Sequence, residues 1–377
     1  MKAKDLAKKL GVSPATISLV LNNKPGISDS LRKSLLEKIQ ELGHEEMLCQ
    51  SCREGAEPSA PKPAPQQPAK EGCACRVIAY LIYQDRAYWE DMNDPYRFFS
   101  GVIEGVESEA WENDCCVVMV HMNRHKNVSL AEQLRRMGNV IGVIVHPCVF
   151  TERVKSDMQA VGLPYVFMDA FTLPEWEPSS VCISNRMGMY QAVEYLYRKG
   201  HRRIGYISSG WETRVETDRR NWFLRAMKNY GLEVREGFLF CAGTGSELFE
   251  YDRLTKLFTE AGTLPTGIIC ENDRQAWRAI RALNQIGKRV PEDVSVIGFD
   301  DQPICTMSQP YITTIHNSPQ LMGRECVIML NNLIRLRQLG EPEPWLRYEL
   351  PATLVERDSV RELAAEDETE KEIREEE

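Results

Sequence analysis

The chain has 377 residues, 43% hydrophobic and 27% charged, which excludes a disordered or fibrous protein and exceeds what one compact core holds. No apolar stretch approaches the ~18 residues needed to span a bilayer. The charged start Met1-Lys2-Ala3-Lys4-Asp5 precedes no apolar run, so a cytoplasmic chain without a signal peptide is expected. Twelve cysteines in such a chain predict reduced thiols rather than a disulfide framework.

The net charge of −9 is unevenly spread. Residues 1–44 carry eight bases against four acids, and residues 356–377 carry eleven acids against four bases. A small basic head on an acidic body suits a nucleic-acid-binding module joined to a second function. The acidic end reads as a solvated, fraying tail.

Three short helices are predicted first. Leu6, Ala7 and Leu10 give one an apolar stripe that Gly11 stops. Ser13 followed by Pro14 is an N-cap and first-turn proline, and Ile17, Val20 and Leu21 form the buried side of the helix that follows. Ser28 caps a third helix, with Leu31, Leu35, Ile39 and Leu42 as its stripe and Gly43 at its end. Two short helices around a glycine turn make a helix-turn-helix. The head is thus assigned to residues 1–48.

Residues 49–75 carry Pro58, Pro61, Pro63, Pro65 and Pro68 and read as an extended linker. From residue 76 to 359 β-rich runs alternate with amphipathic stretches. Predicted strands are Val77–Tyr83, Cys115–His121, Val140–Val145, Tyr165–Asp169, Ile204–Ser208, Gly267–Cys270 and Val294–Phe299. Helical patterns cover Phe99–Glu112, Met187–Arg198, Arg219–Tyr230 and Gln275–Ile286. Buried strands joined by helices predict doubly wound parallel sheets, and this many units predict two lobes with a cleft. Residues 360–377 are the acidic tail.

The segment Lys4-Asp5-Leu6-Ala7-Lys8-Lys9-Leu10-Gly11-Val12-Ser13, followed by Ala15-Thr16-Ile17-Ser18 and Val20-Leu21-Asn22, resembles the N-terminus of lactose-repressor-type (LacI/GalR) transcription regulators. Gly200–Ile207, Val290–Asp301 and Leu354–Ser359 match further family segments in the expected order. The resemblance implies a DNA-binding head on a body similar to periplasmic sugar-binding proteins, acting as a homodimer on a near-palindromic operator. The function expected is a transcription regulator, most simply a repressor, controlled by a sugar-like effector in the interlobe cleft.

Pro14, Ala15, Thr16, Ser18 and Leu19 then meet base edges, with Ser13 at their start, while Lys4, Asn22, Lys24 and Lys33 read as phosphate contacts or plain surface. Leu19 stands where the family usually has arginine, directly after the serine; a contact to thymine methyls would replace a guanine contact. The family's hinge helix is not recognisable after Gly43. In its place stand Cys49-x-x-Cys52 and Cys73-x-Cys75, thiols able to bind zinc or form a redox-active set, against the plainer reading of scattered reduced cysteines.

In the body, Asn272, Asp273 and Asp300 follow predicted strands at their carboxyl ends, where such sheets bind ligands. The resemblance adds Arg219 and Phe98 to Asn272 and Asp300 as ligand-binding residues. Trp222 replaces a small residue of the family and offers a second aromatic face. The plainer readings are helix caps for Asp273 and Asp300, a surface ion pair for Arg219 and core packing for Trp222. No phosphate loop, Gly-x-Ser-x-Gly elbow or His-Glu-x-x-His motif is present, so no enzyme is expected; the rival class is a sugar-binding protein or enzyme on the same body.

Overall fold

The computed structural model describes residues 3–21, 28–44, 75–83, 96–122, 128–146, 151–169, 176–210, 214–243 and 247–364. The chain divides into two compact units, Met1–Cys73 and Ala74–Glu377.

In the first unit, helices α1 (Ala3–Leu10), α2 (Pro14–Leu21) and α3 (Asp29–Glu41) enclose a small core. Gly11 ends α1 at a φ of +69°, a conformation costly for residues with a Cβ. Ser13 then accepts a hydrogen bond from the Thr16 amide at 3.1 Å and starts α2. Ile17, Val20 and Leu21 of α2 are buried with Leu6, Ala7, Leu35 and Ile39. The expected stripe of α3 is corrected at both ends: Leu31 and Leu42 are each 40% exposed, and Arg32 is buried instead. Ser28 holds the N-cap position of α3 without a side-chain cap bond.

The second unit opens with β1 (Arg76–Tyr83), α4 (Tyr96–Glu112), β2 (Cys115–Met122), α5 (Leu130–Met137), β3 (Val140–Val145), α6 (Glu152–Val161), β4 (Tyr165–Met168) and β5 (Ser180–Ile183). It continues with α7 (Asn185–Arg198), β6 (Ile204–Ser208), α8 (Arg214–Asn229), β7 (Leu239–Cys241), α9 (Glu247–Glu260), β8 (Gly267–Cys270), α10 (Asp273–Gln285), β9 (Ser295–Ile297) and α11 (Ile304–Met307). The ribbon strands β10 (Thr314–His316) and β12 (Thr353–Val355) enclose in sequence α12 (Pro319–Gln338) and β11 (Arg347–Leu350).

A six-stranded sheet has the order β11-β5-β4-β3-β1-β2 and a four-stranded one the order β7-β6-β8-β9, both wholly parallel. The two expected lobes are therefore present. The chain leaves the first sheet after β5, builds the second, and returns through α12 to add β11. One hydrophobic core spans both lobes, from Ile78 and Val102 to Tyr206, Phe223 and Phe299.

Helices α4 and α12 cross with almost no gap. A Cβ on Gly105 would lie 2.0 Å from the Gln320 carbonyl oxygen, and one on Gly323 would lie 2.1 Å from the Val102 carbonyl oxygen. Only glycine fits at that crossing.

The body also runs past residue 359, where a tail was expected. Ser359 is fully buried and donates to the Val296 carbonyl at 2.6 Å, and the Leu363 amide donates to the Lys199 carbonyl at 2.8 Å. Buried His201 sits between Thr266 and the Arg361 carbonyl, at 3.0 and 3.1 Å, which ties residues 360–363 to the second sheet.

Candidate functional site

The first candidate surface is the outer side of α2. Pro14 and Ser18 are exposed, Thr16 and Leu19 half-buried, and the Ser13 and Thr16 hydroxyls lie 2.8 Å apart. Arg32 reaches from α3 to donate to the Leu19 carbonyl at 3.3 Å, so this base braces α2 rather than lying free on the surface. Sequence reading had counted it only as positive charge. Ala15 and Lys4 lie on α2 and α1, and Asn22, Lys24 and the hinge region fall outside the described residues.

The second candidate is built around Arg219, buried in α8. Its Nε donates to Asn185 Oδ1 at 3.0 Å, Nη1 to the Glu271 carbonyl at 2.7 Å and Nη2 to Asp300 Oδ1 at 2.9 Å. The guanidinium lies 3.8 Å from the centroid of the Phe299 ring. Burial opposes its charge, but Asp300 outweighs that and holds the Arg219 pKa above its ordinary value. Asp300 is positioned by an unusual backbone: φ is +105°, and its amide donates to the Ile315 carbonyl at 2.8 Å. The Asn317 amide group donates to the same Asp300 Oδ1 at 3.0 Å.

The first lobe contributes its own carboxyl-end residues. Asp169, after β4, accepts the Ile183 amide at 3.1 Å and interacts electrostatically with Arg219 and Asp300; burial pushes its carboxyl up to about 6. His146, after β3, is buried against Phe99, with ring centroids 4.1 Å apart, and its Nδ1 lies 2.8 Å from the Tyr80 hydroxyl. Burial lowers its pKa to about 3, so the ring is neutral at physiological pH. Arg219, Asp300 and Asp169, which interact electrostatically, form a set able to hydrogen-bond a polar molecule.

Several expected site residues do other work. Arg219 does not open its helix: α8 begins at Arg214. Asn272 caps α10, its Oδ1 accepting the Gln275 amide at 3.0 Å. Asp273 is corrected outright. It is fully buried, with one oxygen on the Thr314 hydroxyl and the other accepting the Gln302 amide at 2.6 Å, so it braces the loop after β9. Trp222 packs between α7 and α8 against Tyr190, under the Arg225 guanidinium at 4.6 Å, and reaches the Arg219 cluster only through Asp218, which it shares with Asn185. Of Phe98 the structure describes only its place in α4. Asn185, Glu271, Asn317, His146 and Asp169 were missed. Extending the carboxyl-end rule to every strand would have found His146, Asp169 and Glu271.

The cysteine set is corrected as well. Cys75 forms a disulfide with Cys116, across the starts of β1 and β2, so a bonded pair stands where a reduced thiol and metal ligand were expected. Cys49, Cys52 and Cys73 lie outside the described residues, among which no group of three or more metal-ligating side chains is found. No described helix is long and apolar enough to cross a membrane.

Residues 2–45 match the family model for bacterial regulatory proteins, lacI family, and residues 193–360 match a periplasmic binding protein-like domain. The head is thus a lacI-family domain and residues 193–360 a periplasmic binding protein-like one. The transcriptional repressor PurR of Vibrio vulnificus is 25% identical over 377 residues, covering 96% of this chain and 98% of that one. The repressor CytR of Escherichia coli is 26% identical, covering 92% and 94%. Among solved structures, the CelR–cellobiose complex superposes with a TM-score of 0.63 at 24% identity, over 95% of this chain and 99% of that one. The lac repressor dimer bound to operator and anti-inducer gives 0.63 at 20% identity, over 77% and 96%.

The motifs that resemble the LacI family at the C-terminal end turn out to be architectural. Arg357 donates to the Ile312 carbonyl at 2.8 Å and to Asp301 at 2.6 Å, and Ser359 joins β9 to Thr313. They fix the loop that carries Asp300.

Proposed function

We propose that this protein is a sequence-specific transcription regulator, a repressor, that reads operator DNA as a homodimer through α2. Its body would bind a small polyhydroxylated effector, a sugar or related metabolite, at the Arg219–Asp300 cluster. The observation that carries this reading is Arg219, a buried guanidinium joined at once to Asp300, Asn185 and the Glu271 main chain. A guanidinium with carboxyl and amide groups around it suits the hydroxyls of a sugar. The named relatives are repressors rather than enzymes, which supports regulation over catalysis.

Effector binding would change operator affinity through a coupling of ~1–3 kcal/mol, and operator would change effector affinity by the same factor. The test is a gel-shift titration on the protein's own upstream DNA, with and without a sugar panel. Salt-sensitive binding that one sugar shifts is the expected result; no affinity for any duplex, with or without sugars, would sink the reading.

The Cys75–Cys116 pair favours one variant, a regulator that responds to thiol redox state. Thiol counting and operator affinity before and after dithiothreitol decide it: two thiols released with unchanged affinity would rule the variant out.

A further inference from the structure

Between α8 and the carboxyl ends of β6 and β7 lies a cavity of about 610 Å³, within the size range of small-molecule sites. Tyr206, Glu216, Thr217, Arg220, Cys241 and Glu271 line it. Two atoms in its wall are buried without a hydrogen-bond partner: the Tyr206 hydroxyl and Glu271 Oε1. Both residues are 1% exposed. The other Glu271 oxygen accepts the Ser209 amide at 3.1 Å, which fixes the carboxyl in place. Buried polar atoms are normally satisfied, since each orphan costs roughly 1–3 kcal/mol. Two of them on one cavity point to a guest that supplies the missing bonds.

We infer that this cavity binds a small organic cation, an ammonium or guanidinium on a short carbon chain, with its N–H groups directed at Glu271 Oε1 and the Tyr206 oxygen. Glu271 Oε1 is a carboxyl acceptor with no donor, which favours a cationic N–H donor over an anion. The Arg219 guanidinium is engaged by Asp300, Asn185 and the Glu271 carbonyl. The cavity touches the Arg219 cluster only through Glu271, so this site is separate from the effector reading and stands or falls without it.

Burial pushes the Glu271 carboxyl up to about 7 against the opposing pull of Arg219, with Asp300 raising it further. Glu216 and Arg220 of α8 and Tyr206 of β6 also face it. The ionised form binds a cation better, so amine affinity rises with pH, by about tenfold between pH 6 and 8 when only that form binds.

The test uses the full chain, titrated calorimetrically with 1,4-diaminobutane and agmatine, and with butane-1,4-diol as uncharged counterpart. The expected result is millimolar or tighter binding of an amine that strengthens from pH 6 to 8, with no binding of the diol. Glu271→Gln keeps the Ser209 bond and should weaken the amine at least tenfold; Tyr206→Phe should weaken it severalfold. Bound amine should also slow alkylation of exposed Cys241 by N-ethylmaleimide, read by peptide mass spectrometry. That readout needs no variant and holds even where Glu271→Gln fails to fold. No amine binding at millimolar concentration, equal binding of the diol, or binding that neither protects Cys241 nor responds to Tyr206→Phe overturns the inference. Operator binding in the absence of amines is scored separately and bears only on the regulator reading.

Discussion

Arg219 and Asp300 are joined as a buried ion pair, with Nη2 to Oδ1 at 2.9 Å and side-chain exposures of 8% and 13%. They come from different elements, α8 and the loop after β9, so the pair spans the second lobe. Its worth lies less in net stability than in what its loss leaves behind. Removing one member of a buried pair strands an uncompensated charge, at a cost of about 3–5 kcal/mol.

Asp300→Asn should therefore lower the melting temperature of the body, and Arg219→Ala should lower it more, since it also frees Asn185 and the Glu271 carbonyl. Both should abolish the sugar effect on operator binding. Thermal denaturation together with gel shifts checks this; a variant that melts like wild type and still responds to effector would remove Arg219–Asp300 from the site.

Stability should depend on pH in a definite window. Burial raises the carboxyl of Asp273 to about 8 and that of Glu271 to about 7, so above pH 4.5 the folded chain holds protons that the unfolded chain has released. Stability then falls as pH rises towards 8. His146 and His201 act oppositely: burial lowers them to about 3 and about 4, so they add stability as pH rises, an effect that fades above pH 6.5 as the unfolded imidazoles lose their protons. From pH 6.5 to 8 the carboxyl effect outweighs what is left of it, and melting temperature should decline. Asp273→Asn should flatten that decline; a profile rising through this window in wild type would refute the assignment.

Most strands buried on both faces were legible in the sequence because their apolar runs are short, continuous and bounded; Ser180–Ile183, buried throughout, was missed because only three apolar residues follow its serine. The missed ones explain themselves. Leu239–Cys241 has only three residues, and Arg347–Leu350 is an edge strand whose polar residues face outward. The long α12 had no place in the reading because Gly323 and Cys326 interrupt its stripe, yet that glycine, with Gly105 of α4, lets the two helices touch. Site residues were legible where a strand end supplied a charge, as at Asp300. They were not where the partner comes from a helix start, as at Asn185; Asp273 was wrongly included because the same carboxyl-end position there turns inward.

The glycine crossing gives a stability test. Gly105→Ala would put a methyl 2.0 Å from the Gln320 carbonyl, and the backbone on both sides leaves no flexible side chain to yield. A loss of about 3 kcal/mol or more is expected from such overpacking, seen as a lower melting temperature of the body. Gly237→Ala, where a Cβ meets nothing within 4 Å, is the control and should change little.

Leu19 offers a test of how α2 would read an operator. It is half-buried on the helix, between exposed Ser18 and buried Val20, and its carbonyl is held by Arg32. A leucine there has no donor for guanine and can only offer an apolar surface, which suits the thymine methyl in the major groove. Leu19→Arg should therefore shift one base of each half-site from thymine towards guanine, with a discrimination of about 1–3 kcal/mol. Selection from random duplexes with wild type and variant measures it directly. Wild type returning a strict guanine at that base would show that α2 sits differently in the groove. Arg32→Ala should instead weaken every sequence alike, because it loosens the brace behind α2 without touching the base code.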